Sequence, residues 1–310
     1  MKSSKNETVR KIRNRFYCIL SNIVIKYIFI FNFFFLIFNC PAQQHSVSEE
    51  LRFAQYLIDN SQYRDAIYIL KKQTDQKIDS RTSDSINYYI GWSYFNMKFL
   101  DSSFIYFSKV TGGPFYHQAS FYCVFNKAYL KKTSEAKTSL DSIKIENDSS
   151  LLKLRNFEFA GIALLERDYP EYENRAKSFS YNYFKLADEE KKTTDYYSQL
   201  KQVKRKSPLL AGALSAVLPG SGKFYAGYKG QGIAALMTVG VLGISAAESY
   251  YRLGPKSAQF ITFGSLFTIF YIGNIWGSTL SVKLARDHQL REIDDQILFD
   301  MHVPLRRIFN

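Results

Sequence analysis

Between Ala258 and Val282 the chain runs for 25 residues without a charged side chain. As a helix such a run is about 37 Å long. That exceeds the roughly 30 Å hydrocarbon core of a bilayer and is hard to place in a small soluble core. Two shorter apolar runs precede it. Gln231–Ala247 has 17 residues, about 25 Å and a marginal span. Leu209–Leu218 has 10, about 15 Å and too few to cross. Residues 207–285 are therefore expected to form a two-helix membrane domain, followed by a C-terminal tail over 286–310. Small residues recur every fourth position, at Gly243 and Ala247 on the first span and at Gly273, Gly277 and Ser281 on the second. This spacing predicts faces on which membrane helices touch backbone to backbone.

The other end of the chain carries a second membrane-related pattern. Residues 2–15 are basic, Tyr27–Phe38 is apolar, and Cys40 and Ala42 are small residues at −3 and −1 of a cut before Gln43. Basic, apolar, small-x-small is the logic of a secretory signal peptide, here 1–42. An uncleaved anchor reaching back to Phe16 and a lipidated Cys40 are the alternatives. The leader also changes the meaning of the charge. It holds seven of the 41 Lys and Arg and one of the 28 acids, so the formal +13 falls to +7 from Gln43 onward. Much of the remainder sits at Lys201, Lys204, Arg205 and Lys206, beside the apolar runs, where lipid headgroups are the expected partner and nucleic acid is not. Only Cys123 remains in the mature chain, which excludes an internal disulfide.

Residues 43–187 show helical periodicity, as in Leu51, Ala54, Leu57 and Ile58 followed by Ala66, Ile67 and Leu70, with short polar joints such as Asp59–Gln62. The expected fold class is all-α. Residues 188–206 are strongly charged and read as a solvated helical connector, with Glu189 and Glu190 on its wet face.

Phe53-Ala54, Leu57, Tyr63, Ala66 and Leu70, and then Ile90-Gly91, Tyr94, Leu100, Ser103 and Phe107, resemble two units of the tetratricopeptide repeat. Weaker units follow over Ala119–Ile143 and Phe159–Phe179. The resemblance implies a degenerate α-solenoid that binds a partner along its concave face. Its groove positions fall on Gln55 and Asp59 in the first unit and on Tyr88, Trp92 and Asn96 in the second. The membrane domain opens with Pro219, Gly220, Gly222, Phe224, Tyr225, Gly227 and Gly232, which is similar to the entry signature of the two-transmembrane-helix domain family of bacteria. Lys223 departs from the His-Arg pair common there, and Glu248 and Arg252 only loosely replace its Asp-Arg pair. That family has no general biochemical activity to carry over.

Catalytic motifs are missing. Gly220-Ser-Gly-Lys223 lacks the leading Gly of a phosphate loop, where Val217 stands, and the Ser or Thr after the Lys, where Phe224 stands. Gly230–Ala235 mimics a dinucleotide fingerprint without the preceding strand. The four His residues have no partners at metal-ligand spacing. The sequence thus leads to a membrane-anchored, non-enzymatic adaptor with no metal and no small-molecule cofactor. It would hold a protein or envelope component outside the cytoplasmic membrane. The alternative is a subunit of an envelope transport or assembly complex acting through the hairpin. The signal peptide places the helical domain on the periplasmic side. The basic flanks Lys201–Lys206, Lys283 and Arg286 would favour the opposite orientation.

Overall fold

The computed structural model describes residues 26–27, 46–74 and 78–309. The expected signal peptide, its cleavage site and Cys40 lie outside the described residues, Lys26 and Tyr27 aside. The chain divides into two compact units, 1–53 and 54–310. In the first, Ser46 starts a helix by a reciprocal cap, its Oγ accepting from Glu49 N–H while its own N–H donates to Glu49 Oε2.

Every regular element among the described residues is helical. The first is α1 (Val47–Asp59), followed by α2 (Tyr63–Gln73), α3 (Ser80–Asn96), α4 (Leu100–Phe107), α5 (Tyr116–Tyr129), α6 (Thr133–Asp141), α7 (Ser149–Glu166) and α8 (Tyr169–Ala176). From α2 to α8 each helix packs on the next. The joints share one geometry. Ser61, Lys98, Lys131 and Arg167 all adopt positive φ. At each of them a 6→1 and a 5→2 backbone bond close the preceding helix, as in Gln62 N–H to Leu57 O and Ser61 N–H to Ile58 O. Starts are set by side-chain caps from Asp79, Asp148 and Asp168.

Small residues let the helices close on one another. A Cβ at Gly91 would lie 2.7 Å from the Phe107 ring, and Ser103 Oγ donates to Gly91 O at 2.8 Å. Ala54, Ala66 and Ala136 are fully buried, and Ala128 nearly so. Cys123 is buried in the same core, where burial pushes its thiol up to about 11. That is the setting of an inert packing residue.

The chain continues through α9 (Ala187–Gln202), α10 (Pro208–Val217), α11 (Ser221–Ala226), α12 (Lys229–Leu253) and α13 (Ala258–Phe309). Both α12 and α13 are long and apolar enough to cross a membrane. Their outer faces are bare, with Ile244, Ile269 and Trp276 at 70, 65 and 76% exposure. Such a belt suits lipid and is costly in water.

Two expectations fail here for one reason. The 52-residue α13 does not end with its apolar run. It continues past Val282 as an unbroken helix, and Ile293, Ile297, Met301 and Leu305 are buried in the core of the helical domain. Residues 286–309 are thus a core helix, not a loose tail. Nor is α9 a solvated connector. Glu189 pairs with Arg307 at 2.7 Å, Glu190 accepts the Tyr181 N–H at 2.7 Å, and both are buried. Their charges are tolerated because each has a partner.

Candidate functional site

The groove residues expected from the repeat resemblance lie on α1 and α3. Gln55 Nε2 donates to the Tyr89 hydroxyl, and Asp59, one turn on, is exposed. Tyr88 is buried and stacks on Phe115 at 4.2 Å between ring centres. Burial, with Tyr122 and Tyr89 adding to it, holds its hydroxyl well above the usual phenol range. Trp92 is half-buried against Tyr88, Phe95 and Tyr122, and Asn96 Nδ2 donates back to Trp92 O at 2.8 Å. The structure therefore brings Tyr88, Trp92 and Asn96 onto one helical face, where the two aromatics serve packing.

This aromatic face runs on to Phe95, Tyr122 and Phe125, and there it meets the chain's own C-terminal helix. His302 of α13 lies 5.1 Å from the Phe125 ring, 5.6 Å from Phe95 and 6.1 Å from Tyr122. Burial chiefly, then Arg306 and Lys98, lower its pKa, and its Nε2 has no hydrogen-bond partner. The preceding residue, Met301, fills the space above Gly161. A Cβ at Gly161 would sit 2.6 Å from Met301 Sδ, so the glycine admits the helix. Charge pairs fasten the flanks. Arg167 pairs with Asp294 at 2.7 Å, Lys192 with Asp300 at 2.8 Å, and the Tyr196 hydroxyl donates to Asp300 at 2.6 Å. The sequence signal for this docking was Ile293, Ile297, Met301 and Leu305 at every fourth position, one stripe of a helix.

The membrane-entry residues form a second built feature. Pro219 precedes a turn in which Gly220 has φ 86°, and Gly227 ends the short α11 at φ 107°. A Cβ at Gly220 would meet Gly232 O at 2.2 Å, and one at Gly222 would meet Ala211 O at 2.0 Å. Gly232 in turn leaves room for the Phe224 ring. The turn's backbone groups are satisfied by side chains of the helices beneath it. Asn274 Oδ1 accepts from Gly220 N–H at 3.1 Å while its Nδ2 donates to Ser215 O at 3.3 Å. Ser215 Oγ accepts from Gly222 N–H and donates to Ser278 Oγ at 2.7 Å. Tyr225 OH accepts from Ser207 N–H at 3.2 Å. Non-helical backbone at membrane depth needs such cover.

The small-residue faces divide. Gly243 meets Phe267 of α13, its Cβ position 3.0 Å from the ring, and Gly212 of α10 meets Thr279 at 2.7 Å. Gly273 touches nothing within 4 Å, and Gly277 meets only the Lys223 side chain. Gly273 and Gly277 are therefore not the backbone contact expected of them: Gly273 borders open space and Lys223 of α11 lies over Gly277. Ser281 is buried and bonds to Gly277 O within its own helix, and Ala247 is exposed.

Among the described residues no three of His, Cys, Asp and Glu stand close enough to hold a metal. No protein-family model, curated protein or solved structure matches the chain.

Proposed function

We propose that the chain is a membrane-anchored, non-enzymatic adaptor. In this reading its helix pairs are a degenerate tetratricopeptide-like repeat outside the cytoplasm, and a protein segment or envelope component is held at the α1–α3 end of the groove. The observation that supports it most is the single helix α13, whose first half is apolar enough to span a bilayer and whose second half lies in the core of the helical domain. An anchor of this kind sets the domain at a fixed distance from the membrane. Its own C-terminal helix covers the α5 and α7 end of the groove, which leaves Gln55, Asp59 and Asn96 as the positions a partner reaches. Affinity purification from detergent-solubilised membranes tests the reading. A partner retained by the native chain should be lost with Gln55→Ala plus Asp59→Lys, by about 2 kcal/mol or more for an anchoring position. Identical co-purifying proteins from both chains, or release of the native chain by carbonate, would contradict it.

A second reading, a subunit of an envelope transport or assembly complex, draws on polar groups within the hairpin. Asn274 is already used at both ends, by the turn and by α10, so this reading rests on Lys223.

A further inference from the structure

Lys223 stands at the mouth of a groove between α12 and α13. Its side chain crosses the bare backbone of Gly277, with Cε 3.7 Å from the position a Cβ would take there. The groove runs from Lys223 and Gln231 past Gly273 to Val239 and Ile269. No Asp or Glu lines it, and among the described residues no ion pair involves Lys223. The space over Gly273 is open, since a Cβ there would meet nothing within 4 Å.

We propose that this groove holds one anionic phospholipid, its phosphate on Lys223 and Gln231 and one acyl chain lying over Gly273. The dimensions agree. Gln231 to Val239 covers about 12 Å of helix, close to the roughly 15 Å of one leaflet. Exposed apolar side chains, Met237, Ile269, Phe270 and Ile272, lie on and beside it, so within a bilayer its neighbours are lipids. An unpaired ammonium at its mouth favours a headgroup with net negative charge over a zwitterion. The unfilled stripe at Gly273 and Gly277 then has a use that helix contact does not supply. The inference rests on α12 and α13 crossing a membrane, which carbonate extraction tests separately.

The experiment reconstitutes the full chain in equimolar phosphatidylglycerol and phosphatidylcholine, extracts it gently and counts retained lipids by native mass spectrometry. The native chain should keep phosphatidylglycerol in preference. Lys223→Gln should reduce that preference roughly five-fold, the effect of one interfacial cation, and Lys223→Arg should restore it. Gly273→Leu should lose the lipid, whereas Gly240→Leu, at a glycine with nothing within 4 Å and outside the groove lining, should keep it. Helicity and carbonate resistance are checked for each variant. Equal retention of the two lipids by the native chain, or a Gly273→Leu chain that still holds phosphatidylglycerol, would overturn the proposal. Displacement of the lipid by inorganic phosphate would overturn it too, since the site would then read an aqueous anion.

Discussion

Truncation before Asp287 removes the second half of α13 and should cripple a helical domain whose own sequence is untouched. Ile297, Met301 and Leu305 are fully buried and Ile293 nearly so. At about 1.5–3 kcal/mol for each buried side chain, the stripe contributes roughly 6–12 kcal/mol as an upper estimate, because compact unfolded chains already hide some apolar surface. This is of the order of a whole domain's stability, about 5–15 kcal/mol. The truncated chain should still insert, since the spans are intact, but its domain should bind a hydrophobic dye and be digested within the α3–α8 region. Ile297→Ala isolates one element of the stripe and should cost about 2–5 kcal/mol, the range for a fully buried aliphatic side chain. Thermal unfolding of the reconstituted chain with limited proteolysis measures both. A truncated domain that melts where the intact one does, with the same protease pattern, would refute the reasoning.

Other outcomes follow from single groups. Glu158 is fully buried, neither carboxyl oxygen has a partner, and burial raises its pKa well above the carboxylate range. A raised carboxyl favours folding below about pH 4.5 and loses that advantage as pH rises. Glu158→Gln should therefore stabilise the chain by roughly 1–3 kcal/mol at pH 7, with the difference fading toward pH 4.5; an equal gain at both pH values would contradict this. His302 runs the other way. Its folded pKa is depressed, so its contribution is present above about pH 6.5 and is lost as pH falls and only the unfolded imidazole takes a proton. His302→Phe should flatten the decline in melting temperature between pH 6.5 and 5, and an unchanged slope would count against the burial argument. Gly222→Ala would place a Cβ 2.0 Å from Ala211 O, which backbone cannot easily yield. A loss of roughly 1–3 kcal/mol or more, seen as lower thermal stability in detergent without lost insertion, is expected, and full tolerance would show that the turn is looser than its geometry.

How much of this was legible depended on whether the signal was local. The helical class and the two long apolar helices follow from periodicity and from an uncharged run, both visible within one segment. The entry turn was legible for the same reason, since Pro219 and four glycines announce irregular backbone. The docking of α13 was not. Its stripe, Ile293 to Leu305, is interleaved with Asp294, Asp295 and Asp300 and followed by Arg306 and Arg307, so the segment has the look of a polar tail. The partners that make those charges tolerable, such as Arg167 for Asp294 and Glu189 for Arg307, stand far away in sequence. The same separation made Glu189 look solvated, and Glu190 takes a backbone N–H, that of Tyr181, which residue types do not announce. At Gly273 and Gly277 a spacing rule pointed to contact between spans, whereas Gly273 borders an open groove and the Lys223 side chain lies over Gly277.

The central claim is that one helix joins the membrane to the interior of the helical domain. A disulfide between Gly161→Cys and Met301→Cys, in full-length chain lacking Cys18, Cys40 and Cys123, tests it most directly. The Cβ position at 161 lies 2.7 Å from Met301 Cγ, one C–C bond of about 1.5 Å from Met301 Cβ, so the two Cβ atoms stand no more than about 4.2 Å apart, below the upper limit of roughly 4.5 Å for a disulfide. The account predicts rapid intramolecular oxidation in membranes, read as a mobility shift reversed by reductant, and none for a control pairing Gly161→Cys with Leu284→Cys. Failure of the 161–301 pair to oxidise, or equal oxidation of the control pair, would contradict it.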